Sequence, residues 1–68
     1  MYDQYLGKRV VITTRGNIIY GSAGSLRVHH IEHGVVYLST ADKNVVALGV
    51  PLRDIKKVGL FRETAQAK

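Results

Sequence analysis

Between positions 8 and 61 the chain reads as five short runs rich in β-branched and aromatic residues, and the second run carries two glycines inside it. This pattern limits the fold more than any other feature. The runs are KRVVITT (8–14), IIYGSAGSLRV (18–28), VVYLST (35–40), VVALGV (45–50) and IKKVGLF (55–61), with the length and composition of strands rather than helices. RGN at 15–17 supplies a Gly and an Asn, which tolerate positive φ in a hairpin turn, and ADKN at 41–44 supplies a four-residue turn. Gly21 and Gly24 mark a bend or a close backbone crossing. Five strands close on themselves only if one curves sharply, and these glycines are the place for that curve.

The flanking segments extend the pattern. YDQYLGK at 2–8 fits a short helical turn, with Asp3 as N-cap and Gly7 as the left-handed stop. Pro51 lacks an N–H for a ladder and ends the fourth run, and PLRD fits one 3₁₀ turn with Asp54 as a local cap. HHIEHG at 29–34 reads as a polar loop closed by Gly34, between the second and third strands. The expected fold is therefore all-β: a five-stranded small SH3-like barrel over residues 1–61, with a short N-terminal helical turn and a 3₁₀ turn before the last strand. Residues 62–68, RETAQAK, carry little apolar content and read as a flexible C-terminal tail.

Length then raises a problem of cover. A chain of 68 residues makes one domain and buries only about 60% of the surface it exposes when unfolded. It contains no cysteine, which removes a disulfide framework and a thiolate metal cage from the usual reinforcements. In VVI, VVYL and VVAL both parities of the strand are apolar, whereas a barrel with one wet face should alternate. Part of the outside is therefore expected to be covered, most economically by another copy of the chain along a strand edge, in a ring or a dimer. No apolar run approaches the ~20 residues that span a bilayer, and no basic segment followed by an apolar one opens the chain. The expectation is a cytoplasmic protein without a membrane partner.

Leu6, Gly7, Lys8, Val10 and Ile12 resemble the first strand of the Sm-like family, which commonly reads Leu-x-Gly-Lys-x-Val-x-Val. GNIIYGSAGSL is similar to that family's segment of turn, strand and bend, with Gly16 at the turn and Gly21 or Gly24 at the bend. The likeness covers roughly residues 4 to 61 and implies the barrel and a tendency to form rings. It does not carry over base recognition. Family members that bind uridine-rich RNA place an Asp and an Asn in the loop after the second strand and an Arg-Gly or Lys-His pair near the fourth, where this chain has HHIEHG and VALGVP. A second resemblance joins VPLRDIKKVG, with the GK.VV opening, to PRC-barrel domains, and implies a protein-interaction or structural role.

Charge selects among functions. Ten Lys and Arg against five Asp and Glu leave a formal charge of +5, which favours contact with nucleic acid or another anionic surface. Lys8, Arg9 and Arg15 flank the first strand, and Arg53, Lys56, Lys57 and Arg62 flank the last. If the two strands are neighbours these groups merge into one positive surface that tracks phosphates without reading bases, extended by Arg27, His29 and His30. Tyr20 and Tyr37 would offer rings for stacking if exposed, or else fill the core.

Other chemistries lack their residues. Ser22, Ser25 and Ser39 have no evident partnered base, Asp42 and Asp54 have no spacing that argues for convergence, and no phosphate-loop pattern occurs, so no enzyme is expected. His29 and His33 stand four apart, but the segment does not read as a helix, and in an extended chain His29 and His30 should point to opposite faces. No metal and no cofactor are expected on that basis. The sequence thus reads as a self-assembling module that binds RNA or another nucleic acid, with a protein partner as the alternative.

Overall fold

A computed structural model describes residues 3–61, and its regular structure is mostly short strands. In chain order they are β1 (Val10–Thr14), β2 (Ile19–Tyr20), β3 (Leu26–Glu32), β4 (Val35–Thr40), β5 (Val46–Pro51) and β6 (Ile55–Leu60). One 3₁₀ turn, Asp3–Tyr5, precedes them and another, Leu52–Asp54, separates β5 from β6. Two antiparallel three-stranded sheets result, ordered β2-β1-β6 and β3-β4-β5. Neither sheet is closed, so the expected single closed barrel of five strands is not what the hydrogen bonding shows.

The difference begins at the expected second strand, which divides into β2 and β3. Gly21 and Gly24 both adopt positive φ, 82° and 76°, and Gly24 N–H donates to Gly21 O at 2.9 Å. The two positions need glycine for separate reasons as well. A Cβ on Gly21 would collide with the Val10 carbonyl, and one on Gly24 would enter the ring of Phe61. The bend expected at these glycines is therefore a complete turn, and it delivers β2 to one sheet and β3 to the other.

The histidine segment is also corrected: residues 29–32 belong to β3, and only His33 and Gly34 form the connection to β4. Both have positive φ, 53° and 74°, the requirement of a two-residue type I′ hairpin. Polar composition suggested a loop because the outward positions of β3 are polar, while Val28 is buried and Ile31 packs against the core.

Other expectations hold at the level of backbone. Gly7 is left-handed at φ 76°, and Asn17 and Asn44 take the positive φ of their turns. Pro51 is the last residue of β5, paired with Val35, and so terminates the strand from within. Asp54 serves differently from a side-chain cap: no side chain caps that 3₁₀ turn, and the Asp54 carbonyl accepts the Arg15 N–H at 2.8 Å. Residues 62–68, read as a tail, and Arg62 with them, lie outside the described residues.

The core lies between the sheets. Val10, Ile12 and Ile55 come from one and Val28, Val36, Leu38 and Val50 from the other. Burying a side chain of this size contributes about 1.5–3 kcal/mol. The sheets are also joined by backbone, since Gly7 N–H donates to Val28 O at 2.8 Å and Val28 N–H to Lys8 O at 3.2 Å. Buried Thr14 and Ser39 keep partners: Thr14 Oγ1 accepts Ile18 N–H, and Ser39 Oγ donates to Asn44 Oδ1. Large apolar side chains remain outside, notably Ile18 and Ile19 at β2 and Val45 and Val46 at the open edge of β5.

Candidate nucleic-acid interface

The burial of Val10, Ile12 and Thr14 assigns the opposite parity of β1 to the outer face. By that alternation Val11 and Thr13 face the outside of the β2-β1-β6 sheet, and Arg9 and Arg15 follow the same parity just beyond the two ends of the strand. The register adds their cross-strand neighbours, Gly59 opposite Val11, with Lys57 and Ile19 flanking Thr13. Between Thr13 and Thr14 the β1–β6 register shifts, because Lys56 is an extra residue in β6. Lys56 and Lys57 are both exposed there.

The basic residues gather at two ends of this face rather than in one cluster. At the first end Arg15 Nε donates to Arg53 O at 2.7 Å, tying Arg15 to the 3₁₀ turn beside Lys56 and Lys57. At the other end Arg9 faces Arg27 across an isolated antiparallel bridge, and Arg27 Nη1 donates to Gly7 O at 2.9 Å next to Lys8. The five residues of β1 separate Arg9 from Arg15, six steps of the chain or roughly 20 Å. Between them lie Val11, Thr13 and Gly59, with Lys57 opposite Thr13, and a Cβ on Gly59 would meet no atom within 4 Å. Such a face can accept an extended anionic backbone along its length.

Each end has a shallow cleft. One, of about 230 Å³, opens between the β1–β2 hairpin and β5 and is lined by Thr14, Ile18, Tyr20, Pro51 and Asp54. The other, of about 380 Å³, is lined by Arg9 itself together with Gly24, Ser25, Leu26 and Asp42. Each wall holds a carboxylate, Asp54 in the first cleft and Asp42 in the second, which opposes a phosphate there.

His29 and His30 lie on β3, the edge strand of the other sheet, which also carries Arg27. Val28 pairs with Leu38 and His30 with Tyr37, so His29 is the extra residue of a β-bulge. The bulge overturns the expectation that adjacent histidines face opposite ways. Their Nδ1 atoms lie 2.7 Å apart, with the ring centroids 4.9 Å apart at 74°. His30 also stacks on Tyr37, centroids 4.6 Å apart and planes inclined by 15°. Tyr37 is thus engaged on one side by His30, and a Cβ on Gly49 would come within 3.1 Å of its ring. Tyr20 packs against the core. Both candidate stacking rings are therefore already engaged within the chain.

Sequence reasoning found the basic residues but not their division into two ends, nor the bulges that expose Lys56 beside Lys57 and turn His29 toward His30. Among the described residues, no helix is long and apolar enough to cross a membrane. The architecture defines a small β protein of two antiparallel sheets with a basic outer face. Protein-family models, curated proteins and solved structures yield no match to the chain.

Proposed function

We propose that the chain is a non-enzymatic, Sm-like module of the SH3-like barrel type that self-assembles and binds nucleic acid, RNA foremost, through phosphates. The observation that carries the reading is the outer face of β2-β1-β6. Lys57 lies on it by register, Arg9 and Arg15 flank the two ends of β1, Lys56 and Arg53 stand at its edge, and none of the residues the register places there is acidic. Side chains of this kind hold a backbone in position and displace its counterions without distinguishing sequence. The strand order supports the Sm-like likeness: a glycine-turned second segment serves both sheets, β3, β4 and β5 form a meander, and the strand after the 3₁₀ turn pairs with the first. We place this module in the cytoplasm as part of the same proposal.

A second reading, closer to the PRC-barrel resemblance, rests on Val45 and Val46 at the unpaired edge of β5. An exposed apolar edge strand accepts another polypeptide by strand addition. The same edge serves self-assembly in the first reading. Particle mass by light scattering, with and without a generic single-stranded oligonucleotide and at two salt concentrations, separates the two. The nucleic-acid module gives an oligomer whose oligonucleotide binding weakens steeply with salt. A strict monomer that ignores the oligonucleotide at low salt overturns it.

A further inference from the structure

We infer that His29 and His30 form a bidentate site for a divalent metal ion of square-planar preference, Cu(II) before Ni(II). The two imidazoles are adjacent in sequence, and only the bulge in β3 brings their Nδ1 atoms to 2.7 Å. Bulges commonly re-aim side chains at functional positions. A metal–imidazole nitrogen bond is about 2.0–2.1 Å. Two such donors at a right angle are then roughly 2.9 Å apart, and at a tetrahedral angle roughly 3.4 Å. The observed separation is nearer the first, which is the angle of tetragonal copper and nickel sites rather than of zinc.

The second nitrogens support the assignment. In the present contact one Nδ1 must carry a hydrogen and the other must offer its lone pair. Ligation needs both Nδ1 atoms bare, with each ring keeping its proton on Nε2. Glu32 Oε1 lies 3.6 Å from His30 Nε2, so the tautomer with its proton on Nε2 faces the carboxylate and leaves Nδ1 bare. His30 is thus set for ligation, and His29 is the ring that changes tautomer. Among the described residues no group of three or more His, Cys, Asp and Glu converges as a metal cage, so water completes the coordination. Both residues are accessible: His29 is exposed, and the His30 side chain is 41% exposed.

Titration of Cu(II) into the full chain, in glycine buffer to compete for weak amine and carboxylate sites, tests the pair. The expected result is a single ion per chain, with a tetragonal electron paramagnetic resonance spectrum showing coupling to imidazole nitrogen. His29→Ala should weaken binding at least about tenfold by removing one arm of the chelate, while His33→Ala should leave it unchanged. Circular dichroism of each variant controls for folding, and exposed His29 keeps the test decisive if His30→Ala, which loses the Tyr37 stack, fails to fold. Unchanged affinity in His29→Ala, or an equal loss in His33→Ala, overturns the assignment.

Discussion

Phe61 rests on Gly24: a Cβ built on that glycine would lie 2.5 Å from Phe61 Cε2, and Gly24 holds a φ of 76°. The contact joins the β2–β3 turn, in mid-chain, to the residue that follows the last strand, so one small residue sets how closely the two approach.

Gly24→Ala should therefore destabilise the protein. The left-handed backbone alone costs a side-chain-bearing residue roughly 1–2 kcal/mol, and displacement of the Phe61 ring adds to it. Gly59→Ala is the control, since its Cβ would meet nothing within 4 Å, and it should be neutral or stabilising by up to about 1 kcal/mol. Chemical denaturation of the two variants checks the contrast.

Arg15→Ala and Lys57→Ala should each weaken oligonucleotide binding to a similar degree on any sequence. Each should also lower the slope of log affinity against log salt by about 0.7 on a single strand, the loss of one phosphate contact. A loss confined to one sequence would mean base reading and contradict the proposed mode. Fluorescence anisotropy at several salt concentrations measures both quantities.

Val46→Lys places a charge on the unpaired edge of β5. Because Val46 is 43% exposed, stability should change by no more than about 0.5 kcal/mol. Particle mass should fall, since a lysine on an edge strand opposes pairing with another copy. Light scattering reads the mass, and an unchanged mass would exclude the β5 edge from assembly.

His33→Asn should raise stability by a few tenths of a kcal/mol. His33 is a non-glycine residue at φ 53° in the first position of a type I′ turn, where Asn is favoured. Its 3.5 Å pairing with Glu32 involves a side chain 86% exposed, so little is lost with it. Thermal unfolding checks the sign.

Much of the architecture was legible in the local sequence. Val35–Thr40 was read with its observed bounds, and the 3₁₀ turn before β6 and the left-handed stop at Gly7 were also legible. Each is decided by residues within a few positions of itself: a β-branched run, a proline, a glycine that must adopt positive φ. The histidine segment misled for the same reason, because its polar residues resemble a loop until Ile31 is seen packed inward.

What the chain determined alone was where strands can form, where it must turn, and that its surface is basic. Tertiary structure decided the rest: the division of the second run between two sheets, the grouping of cations at two ends of one face, and the meeting of His29 with His30. Those outcomes depend on register, and register is set by partner strands far away in sequence. The positions of Lys56 and His29 follow from how Thr13 and Tyr37 align across the ladder, so one extra residue in a strand redirects a side chain that local propensity leaves unspecified.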